Sequence, residues 1–330
     1  MALGLVGCGR LAEAGYIPAF AAAAQTLPDA AVRLVAVADP DPARRDRAGA
    51  LAASTSRAGP VAVFPDAAAL LAGTTAVDGL VLATPAAAHL ADAALASTAG
   101  VPVLVEKPPA PDAVRAGELA ALTPSPWVGF NRRFDPGARA LRRAVPAAGR
   151  VELRLEISYR RRGWSAYAVR DDALLDLGPH LVDWARWLTG SEVAEVACSE
   201  LGPARAALDV TMTDGRGRAH IRAATDRPHA ELIELRDGAG RLLARHRLGG
   251  LVAAVRGRLG GGTDTVVMSL AGQLAAFAAA AQGDGGQDAE GPAPLATATD
   301  GHAAMIVIDA ARASAARGGR PVPVPRPVET

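Results

Sequence analysis

An alternation of short apolar runs with alanine-rich stretches constrains the fold of this chain more than any other feature of its sequence. The apolar runs are strand candidates, at Ala2–Gly7, Leu34–Asp39, Val61–Phe64, Gly79–Thr84 and Val103–Glu106. The alanine-rich stretches are helix candidates, near Leu11–Ala24, Pro42–Ala53, Asp66–Leu71, Ala87–Ala99 and Ala110–Leu122. Because strands that alternate with helices form parallel, doubly wound sheets, the sequence predicts an α/β domain over residues 1–123.

The pattern changes after a proline-containing stretch at residues 123–126, and longer segments with strand-like alternation follow. These segments are Val151–Arg160, Ala206–Thr213, Gly217–Ala224, Glu231–Asp237 and Arg241–His246, with hairpin signals at residues 214–215 and 237–240. Helix candidates lie at Leu177–Leu188, near Val266–Ala281 and near Thr299–Ala316. The sequence therefore predicts that residues 124–330 form an α+β domain with a predominantly antiparallel, open sheet. An apolar open face would favour a homodimer or a homotetramer.

Composition and charge exclude several classes of protein. The 330 residues are 50% hydrophobic and 21% charged, with a formal net charge of +1, which is an ordinary globular balance. A charge near zero gives no electrostatic reason to expect a nucleic acid or an anionic membrane as partner. No apolar run reaches the roughly 18–20 residues of a membrane span, and two cysteines are too few for a disulfide framework or a cysteine-rich metal site. We therefore expect a cytoplasmic protein without a metal centre.

The chain contains a single lysine, Lys107, among its 35 basic residues, and a single asparagine, Asn131. Such usage is expected from a GC-rich genome, which replaces lysine wherever arginine will serve. Arginine cannot replace lysine where a titratable amine is needed, because the guanidinium group stays protonated. The composition therefore marks Lys107 as a candidate functional residue.

A glycine-rich turn follows the first strand candidate. Gly7-Cys-Gly9-Arg-Leu-Ala12 matches the pattern G-x-G-x-x-A, in which the first glycine permits a tight turn and the second lets the backbone approach a pyrophosphate. The small Ala12 allows the next helix to pack on the strand. The helix N-terminus, with its free N–H groups, favours an anion, so the turn predicts a dinucleotide site.

Asp39 ends the second strand candidate, about where such sites carry an acidic residue. A carboxylate there accepts hydrogen bonds from an adenosine ribose and repels a 2′-phosphate, so NAD is favoured over NADP. Arg44 and Arg45 lie close enough in sequence to soften that preference. In the alternative interpretation, Gly7 forms an ordinary turn and Asp39 only caps the next helix.

Further polar residues follow the fourth and fifth strand candidates. His89 comes five residues after Thr84 and is either a catalytic residue or a capping or packing histidine. Glu106-Lys107-Pro108 ends the fifth strand, at the edge where doubly wound sheets bind ligands. A buried lysine there can donate a proton or a hydrogen bond. The alternative is a surface pair of Lys107 and Glu106.

The segment around His180 is the most informative part of the second half. Proline is tolerated in the first turn of a helix, so Pro179 predicts a helix that begins near Asp176. Asp176 and His180 then lie one turn apart on one face, and a carboxylate beside an imidazole is a common acid–base unit. Two alternatives are that Asp176 caps the helix, or that Asp176, His180 and Asp183 bind a metal.

Taken together, these motifs resemble the Gfo/Idh/MocA oxidoreductases. The matching segments are Gly7–Ala12, Asp39, Thr84-Pro85 with His89, Glu106–Pro108, Gly129–Phe134, Asp176–Asp183, and, near the end of the chain, Ala310–Ser314 and Gly319–Val322. The resemblance implies a Rossmann domain, followed by a domain with an open mixed sheet that relatives commonly use for oligomerisation. It also implies a Lys107–Pro108 bond that is often cis.

The resemblance assigns a role to each matching residue. Catalysis is assigned to Lys107, Asp176 and His180, with His180 as the general base in oxidation. Cofactor contacts are assigned to Gly7, Gly9, Arg10, Leu11, Ala12, Asp39, Thr84, Pro85, His89, Glu106, Lys107 and Asn131. Substrate contacts are expected from Lys107, Asn131, Trp164, Tyr167, Arg170, Asp176 and His180.

The chain departs from the family pattern at Arg170-Asp171-Asp172, where relatives usually carry a run of glycines. If these carboxylates border the substrate site, they suit a substrate that bears an amino group, such as an amino sugar or an aminocyclitol. The alternative is that Asp171 and Asp172 are solvated surface charges.

The function implied is that of an NAD-dependent oxidoreductase, with NADP the less expected cofactor. It would interconvert a secondary alcohol and a ketone on a sugar, amino sugar, nucleotide sugar or cyclitol, and the composition fits natural-product sugar tailoring. Three alternatives use the same fold: an imine reductase, a redox-neutral enzyme with tightly bound NAD(P), and a non-catalytic NAD-binding regulator. Retention of Lys107 and His180 favours alcohol–ketone chemistry.

Overall fold

A computed structural model describes residues 1–26, 32–55, 59–161, 171–249, 264–283 and 295–326. The chain forms two compact units. The first comprises Met1–Asp135 with Thr263–Thr299, and the second comprises Pro136–Gly262 with Asp300–Thr330. The predicted division after residue 123 gave two continuous domains, whereas here a late segment of the chain returns to the first unit. No helix within the described ranges is long and apolar enough to cross a membrane.

The first unit contains a mostly parallel sheet. Its strands are β1 (Ala2–Val6), β2 (Arg33–Ala38), β3 (Ala62–Phe64), β4 (Gly79–Leu82), β5 (Val103–Glu106), β6 (Trp127–Gly129) and β13 (Ala296–Thr297). Their order is β3-β2-β1-β4-β5-β6-β13, and only the β6–β13 pair is antiparallel. The predicted doubly wound parallel sheet is thus confirmed. The strand order reverses between β1 and β4, the switch point at which such sheets bind ligands.

Helices cover both faces of this sheet. They are a π-helical turn at Ala12–Tyr16, α1 (Ile17–Thr26), α2 (Pro42–Thr55), α3 (Ala67–Ala72), α4 (Ala86–Thr98), α5 (Ala113–Ala120) and α8 (Thr265–Ala281). Successive side chains of a strand point to opposite faces. Leu3 and Leu5 of β1 therefore pack with Phe20 of α1 and Phe277 of α8, while Val6 packs in the cluster of the other face.

Two strand pairings explain why the first unit extends beyond residue 123. β6 pairs in parallel with β5, with Trp127 opposite Leu104, and β13 pairs with β6. The buried face of α8 adds Leu270, Leu274 and Phe277 to the core around β1. Contacts between segments so distant in sequence leave no local signal, so the predicted boundary misses them.

The second unit contains a mostly antiparallel sheet. Its strands are β7 (Val151–Arg160), β8 (Val193–Leu201), β9 (Arg205–Met212), β10 (Gly217–Ala224), β11 (Asp226–Asp237), β12 (Leu242–Gly249) and β14 (Val322–Pro323), in the order β12-β11-β7-β10-β9-β8-β14. Only β7 and β10 pair in parallel. The helices are α6 (Pro136–Ala144), α7 (Ala173–Thr189) and most of α9 (Ala298–Ala316). The prediction of a predominantly antiparallel sheet with helices is confirmed.

Helix α7 begins earlier than predicted. Asp172 is its N-cap and accepts a hydrogen bond from the N–H of Leu175 at 2.7 Å, so Pro179 lies inside the helix rather than in its first turn. The predicted start near Asp176 is therefore wrong. A capping carboxylate at Asp172 stabilises the additional turn, and it offsets the backbone hydrogen bond that Pro179 cannot donate.

The open face of the second sheet is charged rather than apolar. On β7, Val151, Leu153, Leu155 and Ile157 are buried, while the alternate residues Glu152 and Arg154 are exposed. On β10 the exposed positions are Arg218, His220 and Arg222. The predicted apolar open face is therefore wrong, because the apolar residues of these strands lie on the opposite face, against α7.

Candidate functional site

Gly7 occupies a position at the switch point that only glycine can fill. Its φ is +93°, and a Cβ atom there would lie 2.6 Å from the carbonyl carbon and oxygen of Ala83. The N–H of Gly7 donates to the carbonyl oxygen of Ala38 at 2.8 Å. The turn is thus held against the ends of both neighbouring strands, β2 and β4, and its backbone can approach a ligand closely.

The helix that follows the turn opens with a wide, π-helical stretch. The N–H of Ile17 bonds to the carbonyl oxygen of Ala12, an i→i+5 hydrogen bond. Pro18, one residue later, has no N–H, so the carbonyl of Ala14 has no ordinary helical donor. Ala12, which was predicted to let the helix pack closely on the strand, is fully buried. The N-terminal N–H groups of this helix are the candidate pyrophosphate donors.

Asp39 is fixed by two backbone donors at the end of β2. Its Oδ2 accepts the N–H of Cys8 at 2.8 Å, and its Oδ1 accepts the N–H of Asp41 at 2.9 Å. The cap of α2 comes from Asp41 instead, whose Oδ1 accepts the N–H of Ala43 at 2.9 Å. The carboxylate of Asp39 is therefore tied to the glycine turn, and the alternative in which it caps α2 does not describe this structure.

The two arginines that follow Asp39, Arg44 and Arg45, contact residues that are near them in sequence. Arg44 Nε lies 3.4 Å from Oδ2 of Asp41. Arg45 Nη1 donates to the main-chain carbonyl oxygens of Asp39 and Pro40, at 3.2 and 3.3 Å. Both guanidinium groups thus stabilise the start of α2.

Glu106 and Lys107 lie at the carboxyl end of β5, two strands from β1. Oε2 of Glu106 accepts the N–H of Lys107 at 3.0 Å, and Oε1 accepts the hydroxyl of Tyr16 at 2.5 Å. Only 4% of Glu106 is exposed, and burial is the main cause that raises its pKa. A buried carboxylate is not half of a solvated surface pair, so that alternative for Glu106 and Lys107 does not hold. The Lys107–Pro108 bond is cis, as the resemblance implied.

His89 contacts the loops that follow β4 and β5 and connects them. Its Nε2 lies 2.8 Å from the carbonyl oxygen of Thr84, and its Nδ1 lies 3.2 Å from that of Pro109. The ring is 1% exposed, and burial lowers its pKa to about 4 although both carbonyl oxygens act in the opposite direction. These contacts fit the packing interpretation of His89.

Asn131 follows β6 and reaches α8. Its Nδ2 donates to Oγ of Ser269 at 2.8 Å, and Ser269 in turn donates to the carbonyl oxygen of Val266 at 2.9 Å. Asn131 is 5% exposed. The amide therefore joins the end of the sheet to the late segment of the first unit.

In the second unit, two residues of the β7 end hold the carboxylate of Asp176. Its Oδ2 accepts hydrogen bonds from the hydroxyl of Tyr159 and from Nη2 of Arg161, the latter at 2.9 Å. Burial, followed by the charge of Asp176, raises the pKa of Tyr159. His180, one turn along α7, is 3% exposed. The arrangement gives Asp176 a charge-balancing cation and a neutral hydrogen-bond donor.

The departure from the family pattern has a structural explanation at Asp172. Besides capping α7, Asp172 accepts a hydrogen bond through Oδ2 from Nη2 of Arg312 at 3.1 Å. The carbonyl oxygen of Asp171 accepts Nη1 of Arg161 at 2.6 Å. Trp164, Tyr167 and Arg170, which were predicted to contact substrate, lie outside the described residues.

Several residues that shape the site carry no sequence signal. Four of them, Tyr16, Gln273, Tyr159 and Arg161, belong to no motif, and each reaches its partner only after folding.

Among the residues that the structure describes, no group of histidine, cysteine, aspartate and glutamate side chains could hold a metal ion, so Asp176, His180 and Asp183 do not form such a group.

Comparison with known proteins shows what the N-terminal part of the chain is similar to. Residues 1–125 match the model of the oxidoreductase family with an NAD-binding Rossmann fold, Gfo/Idh/MocA. A myo-inositol dehydrogenase of Streptomyces leeuwenhoekii is 34% identical over 208 residues, 59% of this chain and 58% of that protein. The rhizopine catabolism protein MocA of Rhizobium meliloti is 34% identical over 202 residues, 58% of this chain and 57% of that protein. The matched regions thus span less than two thirds of these relatives.

Solved structures share the fold over nearly the whole chain. The scyllo-inositol dehydrogenase of Lactobacillus casei, crystallised with NAD(H) and scyllo-inositol, has a TM-score of 0.75 at 20% identity, covering 98% of this chain and 99% of that one. The myo-inositol 2-dehydrogenase of Lactobacillus plantarum also has a TM-score of 0.75, at 18% identity and the same coverage. Residues 1–125 are thus similar to the NAD-binding Rossmann domain of the Gfo/Idh/MocA oxidoreductase family.

Proposed function

We propose that the protein is an NAD-dependent dehydrogenase or ketoreductase that interconverts a secondary alcohol and a ketone on a cyclitol or sugar-like substrate. One observation carries the proposal: the Gly7 turn, Asp39 and Lys107 all lie at carboxyl ends of β1, β2 and β5, beside the switch point of the sheet. The inositol dehydrogenases among the relatives support a cyclitol as the substrate class.

The residues of the first unit fit the cofactor. Asp39 uses one acceptor site on each oxygen for Cys8 and Asp41, and a carboxylate has about four such sites, so acceptors remain for two ribose hydroxyls. Its negative charge repels a 2′-phosphate, while Arg44 and Arg45 are engaged with Asp41 and main-chain carbonyls. These contacts support a preference for NAD over NADP.

NAD, when bound, supplies the acceptor or donor of a hydride. In the proposed reaction, Lys107 donates a hydrogen bond to the reacting oxygen of the substrate, and His180 takes the hydroxyl proton in oxidation and returns it in reduction. Asp176 has its charge balanced by Arg161 at 2.9 Å. We therefore assign Asp176 the role of an acceptor that orients His180 or a second substrate hydroxyl, and not that of the base. Thr84, Pro85 and Asn131 stay predicted cofactor or substrate contacts.

The contacts of Asp172 argue against the amino-bearing substrate. Its two carboxylate oxygens serve the N-terminus of α7 and Arg312, so its charge is already balanced within the protein. Neutral polyols are therefore the favoured class. Natural-product sugar tailoring stays a prediction from composition.

The test is NADH formation from a panel of cyclitols, neutral sugars and amino sugars, using wild type and Lys107→Met. We expect net NADH from at least one neutral polyol and a rate lower by about 100-fold or more in the variant. Tightly bound nucleotide with no net NADH would indicate a redox-neutral enzyme. Nucleotide binding without turnover of any substrate would indicate a regulator and overturn the proposal.

The homodimer or homotetramer is also a proposal. The open face of the second sheet carries both signs of charge, including Glu152, Arg154, Asp209 and Arg222. Association through such a face would weaken as salt screens the charges. Sedimentation at low and high salt would show this dependence.

A further inference from the structure

A series of hydrogen bonds between buried polar side chains leads to the carboxyl end of β5. Nε2 of Gln273, on α8, donates to the hydroxyl oxygen of Tyr16 at 3.1 Å. The hydroxyl of Tyr16 donates to Oε1 of Glu106 at 2.5 Å, and Oε2 of Glu106 accepts the N–H of Lys107 at 3.0 Å. Hydrogen bonds therefore run without a break from α8 to the peptide of the only lysine in the sequence.

The chemistry of the side chains determines which group donates and which accepts in each of these hydrogen bonds. Tyr16 gives its single proton to Glu106, so its oxygen needs a donor, which the amide nitrogen of Gln273 provides. The amide oxygen of Gln273 then points away, and among the described residues it has no hydrogen-bond partner although Gln273 is fully buried. A buried acceptor without a donor is costly. The orientation of Gln273 is thus set by what Tyr16 requires.

Both oxygens of Glu106 are held from different sides, which fixes the rotation of the carboxylate. On β6, a Cβ atom at Gly129 would lie 3.0 Å from Oε1 of Glu106, so the glycine leaves room for the group. Burial raises the pKa of Glu106, while the hydrogen bond from Tyr16 and the positive charges of Lys107 and Arg132 lower it. Removing the Tyr16 hydroxyl would therefore change both the orientation and the charge balance of Glu106.

We propose that Tyr16 and Gln273 are positioning residues, which act through Glu106 to hold Lys107 at the carboxyl end of β5. Tyr16 ends the π-helical turn that begins three residues after Gly9. The side chain of Tyr16 thus reaches Glu106, and through it Lys107, from the helix that follows the predicted pyrophosphate turn. Only the catalytic consequence rests on the proposed function, because the position of Lys107 can be measured without turnover.

The single lysine makes this measurement direct. Reductive methylation with carbon-13 formaldehyde labels the Lys107 amine and the amino terminus, and Lys107→Arg identifies which resonance is which. Tyr16→Phe removes one hydroxyl, and Gln273→Leu removes the donor to it. Phe20→Leu is the matched control, since Phe20 lies one helical turn beyond Tyr16, is 5% exposed and has no polar atom. Circular dichroism and thermal unfolding establish that each variant is folded.

We expect Tyr16→Phe and Gln273→Leu to move the Lys107 resonance and to change its methylation rate by about tenfold, whereas Phe20→Leu leaves both unchanged. A folded Tyr16→Phe protein with the wild-type resonance and rate would overturn the proposal. The same result in Phe20→Leu as in Tyr16→Phe would also overturn it, since loss of packing would then explain the change. If Tyr16→Phe does not fold, Gln273→Leu decides alone.

A measurement of kcat distinguishes a failure of the positioning role from a failure of the proposed function. If the protein oxidises a polyol, we expect kcat to fall about 10- to 100-fold in Tyr16→Phe, with the Kd for NADH within about twofold of wild type. If no substrate is turned over but the resonance moves as expected, the proposed function fails and the positioning role stands. An unchanged kcat in an active, folded Tyr16→Phe enzyme would contradict the positioning role.

Discussion

Arg312 on α9 lies 3.1 Å from the carboxylate of Asp172, the residue that caps α7. This pair ties the start of the helix that carries Asp176 and His180 to the last long helix of the second unit. An acidic residue that stands where relatives usually have glycine is thereby a structural element of the helix.

The first prediction concerns that cap. Asp172→Ala should lower the free energy of unfolding by about 1–2 kcal/mol, because it removes both the cap and the partner of Arg312. Asp112→Ala removes a comparable cap, from the N–H of Arg115 at 2.9 Å in the first unit, and should cost about 1 kcal/mol. Urea denaturation measures both. A shift in the KM for amino sugars with unchanged stability would instead support the amino-bearing substrate.

The second prediction concerns the glycine turn. Gly7→Ala should cost about 3 kcal/mol or more, because its Cβ would meet the backbone of Ala83 at 2.6 Å and its φ is +93°. Gly100→Ala is the control, with φ +69° and no atom within 4 Å of the added Cβ. It should cost only about 1–2 kcal/mol. Equal losses in the two variants, measured by denaturation, would contradict the close approach at Gly7.

The third prediction is a pH dependence caused by His89. Burial lowers its folded-state pKa from 6.5 to about 4, so between these values the unfolded chain binds the proton and the folded protein does not. Stability from His89 is therefore present above pH 6.5 and is lost as the pH falls towards 4, by about 3 kcal/mol. His89→Leu should remove this part of the slope. Parallel curves for wild type and variant would show that His89 does not titrate in this way.

The fourth prediction separates two arginines near β7. Arg161→Met removes the guanidinium group that lies 2.9 Å from the Asp176 carboxylate and should lower the free energy of unfolding by about 1–3 kcal/mol. Arg154 pairs with Glu156 on the open face, where its side chain is 51% exposed, so Arg154→Met should change stability by less than about 1 kcal/mol. Thermal denaturation of both variants checks the difference, and a larger effect at Arg154 would contradict it.

The parts of the fold that follow local patterns were predictable. Strands β1 to β5 of the first sheet, the turn at Gly7 and the hairpins near Asp214 and Asp237 follow from apolar periodicity and turn residues, whereas β6 and β13 were not predicted. Strand β8 was missed because its pairing with β9 shifts register twice, between Val193 and Glu195 and between Cys198 and Glu200. Each shift breaks the two-residue alternation on which a strand prediction depends.

The residues of the candidate site also differ in whether the sequence alone predicts them. Asp39 and Lys107 were predictable because they end strands whose carboxyl ends share one edge of a sheet. Tyr16 and Gln273 were not, since 257 positions separate them and only the folded chain brings their polar atoms together. The start of α7 was misplaced because Pro179 suggests a first turn, whereas the cap at Asp172 allows the proline inside the helix.

The NAD preference of the site at Gly7 and Asp39 can be measured by a fluorescence titration with NADH and NADPH on wild type, Asp39→Ala and Asp41→Ala. We expect wild type to bind NADH more tightly than NADPH. Asp39→Ala should weaken NADH binding by about 10- to 100-fold. Asp41→Ala removes the cap of α2 and the partner of Arg44 but keeps the main-chain N–H that holds Asp39, so it should change NADH binding by less than about twofold. If wild type binds neither nucleotide, or if Asp39→Ala binds NADH as tightly as wild type, the proposed NAD site is wrong.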